Sequence, residues 1–174
     1  MPIWMYIVEW MARGILVFLI GLSIYSLSII LEKKKMFALL TPSLWMKHEG
    51  IKKLLESADS YQNEKIDLYF SIQLSKLKKE WEKGLGILGT LGSSTPFIGL
   101  LGTILGIIVA FGELSQGKAD TNAIMFALAE ALILTAVGLF VAIPAVVAFN
   151  NYNRKIKVLM NDLEALKNEM KLRK

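Results

Sequence analysis

Cysteine is absent from the 174 residues, and histidine occurs once, as His48. The first absence excludes a disulfide framework and any thiolate metal site. The second leaves too few parts for a histidine metal cluster or a Ser-His-Asp constellation. His48 lies in a polar stretch and reads as a solvated surface residue. There is no phosphate loop, dinucleotide fingerprint or catalytic motif, and no internal repeat or low-complexity tract. Nothing calls for a cofactor. Charge is missing too, but only locally: Gly14 to Leu31 and Gly84 to Gly112 carry none, and Thr121 to Asn153 carries only Glu130.

What is present fits those gaps. The apolar fraction is 54% and the mean hydropathy is positive. A chain of one-domain size cannot easily hide that much apolar surface in a single core. A bilayer core of ~30 Å needs ~20 apolar residues at ~1.5 Å rise each, and the three charge-depleted stretches supply them. The reading is an all-α integral membrane protein with three transmembrane helices, at 14–31, 84–112 and 121–153. The second and third are longer than a bilayer needs and have room to tilt or project. The net charge of +5 points to no nucleic acid, because the charges are confined to the segments between and after the spans.

Loop charge sets orientation. The connection 32–83 holds eleven Lys and no Arg, and the stretch 150–174 holds seven basic residues. The link 113–120 holds only Lys118 and the segment 1–13 only Arg13. The connection and the C-terminal helix 154–174 are therefore expected in the cytoplasm, with the N-terminus and the short link on the periplasmic side of a bacterial inner membrane. The first span reads as a retained anchor rather than a cleaved signal. Its basic cluster, Lys33-Lys34-Lys35, follows the apolar run instead of preceding it.

Spans two and three are expected to continue into the cytoplasm as long helices. Ile66, Phe70, Leu74, Leu77, Trp81, Leu85 and Leu88 recur at helical spacing, predicting a helix that enters span two without a break. Ile156, Leu159, Leu163, Leu166 and Met170 form a short heptad seam. It fits equally a face packed on its own chain or a seam between subunits. Thr41-Pro42-Ser43 reads as a helix start and Ser57 to Asn63 as a polar turn.

Span two, read at ~100° per residue, gathers Gly92, Pro96, Gly99, Gly106 and Ala110 within ~60° of Thr103. Span three has a weaker track of Ala131, Thr135, Gly138, Ala142 and Ala145, with Pro144 near its inner end. Such stripes let helix backbones approach closely, or they line a cavity for a partner helix. Thr103 and Thr135 fall near the middles of their spans, so their hydroxyls are expected at one depth near the bilayer centre. They either bond back to their own helix carbonyls or form a polar ring. Glu130, nine residues inside span three, is costly there if charged and unpaired. It lies ~140° around the helix from Thr135, so both cannot face one axial pore. It should face a neighbouring subunit, bond a hydroxyl such as Thr95, or serve as a structural carboxyl.

The run S-T-P-F-I-G-L-L-G-T-I-L-G in span two and A-E-A-L-I-L-T-A-V-G-L-F-V-A-I-P in span three resemble the ExbB/TolQ branch of the MotA/TolQ/ExbB proton-channel family. The likeness covers 91–153, and the three-span pattern fits it. It implies a cyclic, five-fold ring of this chain enclosing the single-span helices of an ExbD/TolR-like subunit that carries an intramembrane Asp. It also implies a TonB- or TolA-like envelope protein as the load. By the same resemblance Thr103, Thr135 and Glu130 match the pore and proton-pathway residues, and Pro96 and Pro144 the motif prolines. The connection is short for the group, and the N-x-x-N-R-K tail leans towards TolQ. Two other readings stand beside this one: a membrane scaffold without ion conduction, and a divergent flagellar-type stator subunit.

Overall fold

A computed structural model describes residues 3–38, 63–117 and 120–172. These form four helices and no strand: α1 (Ile3–Ala38), α2 (Asn63–Glu82), α3 (Leu85–Ser115) and α4 (Thr121–Leu172). Three of them, α1, α3 and α4, are long and apolar enough to cross a membrane. The expected helix start at Thr41-Pro42-Ser43, the polar turn before Asn63 and His48 lie outside the described residues.

Three boundaries differ from the sequence reading. The first span is the middle of a longer helix, since α1 begins at Ile3 and carries Lys33–Lys35 in its last turns. The link 113–120 is shorter than expected, because α3 keeps Glu113 and runs on to Ser115. The helix before span two does not enter it unbroken: Lys83 and Gly84 form a turn, with Gly84 at φ +81°. That left-handed conformation costs an L-residue roughly 1–2 kcal/mol and costs glycine nothing. A glycine there ends α2, and α3 restarts at once.

The other end of α3 closes similarly. The Gln116 and Gly117 amides donate to the Glu113 and Leu114 carbonyls, and Gly117 is left-handed at φ +64°. Asp120 then starts α4, its Oδ1 accepting the Ala123 amide at 2.8 Å, as an N-cap carboxylate does. Pro96 and Pro144 sit inside α3 and α4. Each removes one ladder hydrogen bond, yet neither helix is interrupted.

The chain divides into two compact units, Met1–Ser28 with Ile87–Ala148, and Ile29–Gly86 with Phe149–Lys174. In the first, Met5, Leu19, Leu91, Ala110, Ala131, Leu134, Val141 and Ala145 are buried. Its outer surface is apolar: Val17, Phe97, Phe126 and Phe140 are each at least 70% exposed. A patch of that kind has no place against water and every place against lipid or another protein.

In the second unit Phe70, Leu77, Trp81 and Leu85 bury the α2 stripe, and Ile156 and Leu163 are buried on α4. The seam expected on α4 is thus covered at those two positions within its own chain, while Leu159 and Leu166 are half-buried. Lys33 is also buried here, its Nζ donating to the Trp81 carbonyl at 3.0 Å. That places a cation on the carbonyl end of α2, where the helix dipole favours it.

Candidate functional site

The site is built on α3 and α4 of the first unit, which run antiparallel along their small residues. Gly92 faces Val146, Gly99 faces Gly138, and Gly106 faces Ala131. Each seven-residue step along α3 meets a seven- or eight-residue step back along α4, so the register holds over two heptads. At its centre the backbones nearly touch. A Cβ on Gly99 would lie 2.7 Å from the Leu134 carbonyl oxygen, and one on Gly138 would lie 2.7 Å from that of Thr95. Close approach of this kind holds helices together where lipid offers no hydrophobic drive.

The small stripe is therefore occupied by the chain's own α3–α4 contact at Gly92, Gly99, Gly106 and Gly138. Ala110, Ala131 and Ala142 are buried with it. Pro96 is half-buried at its margin, and Pro144 is exposed on the other side of α4.

The register fixes the threonines. Thr103 lies between Gly99 and Gly106, and so across from the stretch 131–138 that carries Thr135. The two residues share a depth, as their sequence positions suggested. Thr103 is buried, and its hydroxyl donates to the Leu100 carbonyl at 2.7 Å. Thr135 is half-buried, and its hydroxyl has no hydrogen-bond partner among the described residues.

Their shared depth is not the middle of α1. Gly102 packs on Ile15 and Gly112 on Met5, which sets the antiparallel register of α1 against α3. Thr103 is thereby level with Gly14 and Ile15, the N-terminal end of the charge-free stretch of α1. The three stretches differ in length, so their midpoints do not coincide.

Glu130 stands next to Ala131, which packs on Gly106, so it lies about one turn nearer the α3–α4 connection than the threonines. It is exposed on the chain's surface and makes no hydrogen bond or ion pair among the described residues. The suggested bond to Thr95 is not made. Thr95 is fully buried one turn before Gly99 on α3 and donates its hydroxyl to the Leu91 carbonyl at 2.7 Å. Of the sequence alternatives, Glu130 takes the face directed away from its own chain.

One element of this layer was not singled out from the sequence. Gly106 falls between the residues that meet Ile15 and Met5, so Glu130 is level with the stretch of α1 that carries Glu9 and Arg13. Those two pair at 2.7 Å. Their four-residue spacing was the available signal. Two threonines, a free carboxylate and an ion pair thus occupy about two turns of an otherwise apolar bundle. Among the described residues no group of histidine and acidic side chains could hold a metal ion.

Residues 41–165 match the MotA/TolQ/ExbB proton channel family. Among curated proteins the chain is 38% identical over 112 residues to the biopolymer transport protein ExbB of Neisseria gonorrhoeae, covering 64% of this chain and 51% of that one. To the ExbB of Aquifex aeolicus it is 40% identical over 114 residues, covering 60% and 77%. To the ExbB-like 2 biopolymer transport protein of Helicobacter pylori it is 36% identical over 153 residues, covering 87% and 85%. The chain spans about half the length of the Neisseria relative.

Proposed function

Since this chain belongs to the MotA/TolQ/ExbB proton channel family, we propose that it is the ring-forming, proton-conducting subunit of an ExbB–ExbD type complex, which turns the proton motive force into work on a TonB-like envelope protein. It is a multi-pass inner-membrane protein, read here with its N-terminus periplasmic and its C-terminus cytoplasmic. The ExbB branch is favoured over TolQ by the names of its relatives.

The observation that carries the reading is the polar layer. Thr103 and Thr135 sit across from each other in a bundle otherwise lined with glycine, alanine and aliphatic side chains. Thr135 keeps a hydroxyl that can accept and donate. Neither threonine titrates in the accessible range, and Glu130 is the sole acid in span three. A proton crossing the apolar slab needs a group that changes charge there. That group is assigned to a partner: a single-span ExbD-like helix carrying an aspartate, held inside a ring of five copies. In this reading the half-buried Thr135 hydroxyl lines the partner's path with the buried Thr103 behind it, and Glu130, on another face of α4, takes part in proton relay at the boundary with a neighbouring subunit.

A second reading rests on Thr103 itself. It is buried and bonded to its own helix, as a threonine in a pure packing interface would be. That favours a scaffold without conduction.

Proton flux in proteoliposomes separates the two readings. Flux is expected only when the chain is reconstituted with an ExbD-like partner, and should vanish when the partner's aspartate is replaced by asparagine. An unchanged proton permeability with the partner present would leave the scaffold reading standing.

A further inference from the structure

In the second unit, α1 and α4 meet through an aromatic pair. Phe37 and Tyr152 stack with ring centroids 5.1 Å apart and planes 22° apart. The Tyr152 hydroxyl donates to the Ile30 carbonyl at 3.4 Å. The Lys155 ammonium lies over both rings, 5.9 Å from the Phe37 centroid and 5.8 Å from that of Tyr152. Both rings are buried, while Lys34, Lys35, Arg154 and Lys155 are exposed. No ion pair engages these four cations among the described residues. Lys33, just before them on α1, is spent on the Trp81 carbonyl.

The place of this cluster matters as much as its charge. On α1 the charge-free run ends at Leu31, and on α4 the run after Glu130 ends at Asn153. The four cations begin where both charge-free runs stop, and with those runs in a bilayer they fall in its headgroup region. Leu31, one turn before Lys34 and Lys35, is half exposed and offers an apolar side chain to an acyl chain below that phosphate.

We infer that this cluster is a binding site for the headgroup of an anionic phospholipid. Phosphatidylglycerol, with one net negative charge, fits it. Phosphatidylcholine does not, because its quaternary ammonium would enter a field of four cations. The stack holds Lys155 before any ligand arrives, so less side-chain freedom is lost on binding. The donors left on its ammonium, with those of Lys34 one turn before Phe37, match the phosphodiester oxygens, and Arg154 beside Lys155 in sequence adds to the positive field. The inference needs the chain to lie in a bilayer but does not need it to conduct protons, so a flux experiment and a lipid-binding experiment fail independently.

The test is native mass spectrometry of the detergent-purified full chain with dioleoyl-phosphatidylglycerol or dioleoyl-phosphatidylcholine. The wild type is expected to retain the glycerol lipid at least about five-fold better, since each basic residue near a membrane surface is worth roughly a factor of five. The Lys34→Gln/Arg154→Gln/Lys155→Gln variant should lose the preference, while Lys76→Gln/Lys78→Gln/Lys79→Gln, which removes as many charges from α2, should keep it. Equal loss in both would mean a diffuse field and would overturn the site, as would full retention by the first. Lys155→Gln alone should weaken the preference several-fold if the triple variant does not fold; no change there would also refute the assignment. Excess inorganic phosphate should not displace the bound lipid. Displacement would reassign the cluster to free phosphate.

Discussion

Gly99 and Gly138 stand opposite one another so closely that a Cβ on Gly99 would come 3.2 Å from the Gly138 Cα, and one on Gly138 would come 3.1 Å from the Gly99 Cα. Neither position has room for a methyl group, because what blocks it is backbone and not a side chain that can turn aside.

Replacing Gly99 or Gly138 by alanine should therefore cost roughly 1–3 kcal/mol of stability, the usual penalty for overpacking. The matched control is Gly21→Ala, where an added Cβ meets nothing within 4 Å. That change should be neutral or stabilising by up to about 1 kcal/mol through helix propensity. Thermal unfolding of the detergent-solubilised variants reads the difference. Equal melting of Gly99→Ala and Gly21→Ala would mean that the α3–α4 register given above is wrong.

Gly84 should resist substitution for a different reason. A Cβ there would lie 3.5 Å from the Ile29 Cγ2, an ordinary contact, so space is not the obstacle. The backbone at φ +81° is. Gly84→Val should cost at least about 1–2 kcal/mol, and Gly84→Asn less, since asparagine tolerates the left-handed region. Hydrogen exchange across the end of α2 should report it; a valine variant with unchanged protection would argue for one continuous helix.

Thr103→Val and Thr135→Val should both assemble, because valine keeps the shape and neither hydroxyl bonds to another helix among the described residues. Proton flux with an ExbD-like partner should fall for both. Thr135→Val should be the more harmful, since its hydroxyl is not committed to its own backbone. Wild-type flux in the double variant would return both residues to packing alone.

Glu130→Gln should leave the oligomer intact and reduce flux, because glutamine keeps hydrogen bonding and loses the exchangeable charge. Glu130→Ala should reduce flux at least as far. Size-exclusion chromatography and flux measured on the same preparations separate assembly from conduction. A fully conducting Glu130→Ala complex would remove this carboxyl from the pathway.

The spans were legible because burying a charge in hydrocarbon is so costly that its absence over eighteen or more residues is hard to produce otherwise. The α3–α4 contact was legible in outline from the spacing of Gly92, Gly99 and Gly106. The break at Gly84 was not. It is one of eight glycines between positions 84 and 112, and nothing local separates the one that leaves the helix from those that stay within it. The apolar stripe runs through from Phe70 to Leu88 without a change of period. The shared level of Thr103 and Thr135 followed from counting along each span, whereas the level of α1 beside them did not, because it is set by contacts such as Gly102 on Ile15. Arg13 was read only as the basic residue of the segment before the first span, and only that same register brings it, with Glu9, level with Glu130.

The tight closure between α3 and α4 bears on how the protein is made. Gly117 turns the chain and Asp120 starts the next helix, so the two helices can enter the bilayer together as a hairpin, drawing across only a short link that carries Lys118 and Asp120. α3 contains seven glycines; hydrocarbon keeps it helical all the same, since no water is there to take its backbone groups, but alone it would carry an unfilled groove along one side. It gains its partner as soon as translation has supplied α4, when Ala131 can close on Gly106 and the contact can zip inward to Val146 on Gly92. A chain truncated before α4 would leave that groove open, and would be a natural substrate for the proteases that clear orphaned membrane segments.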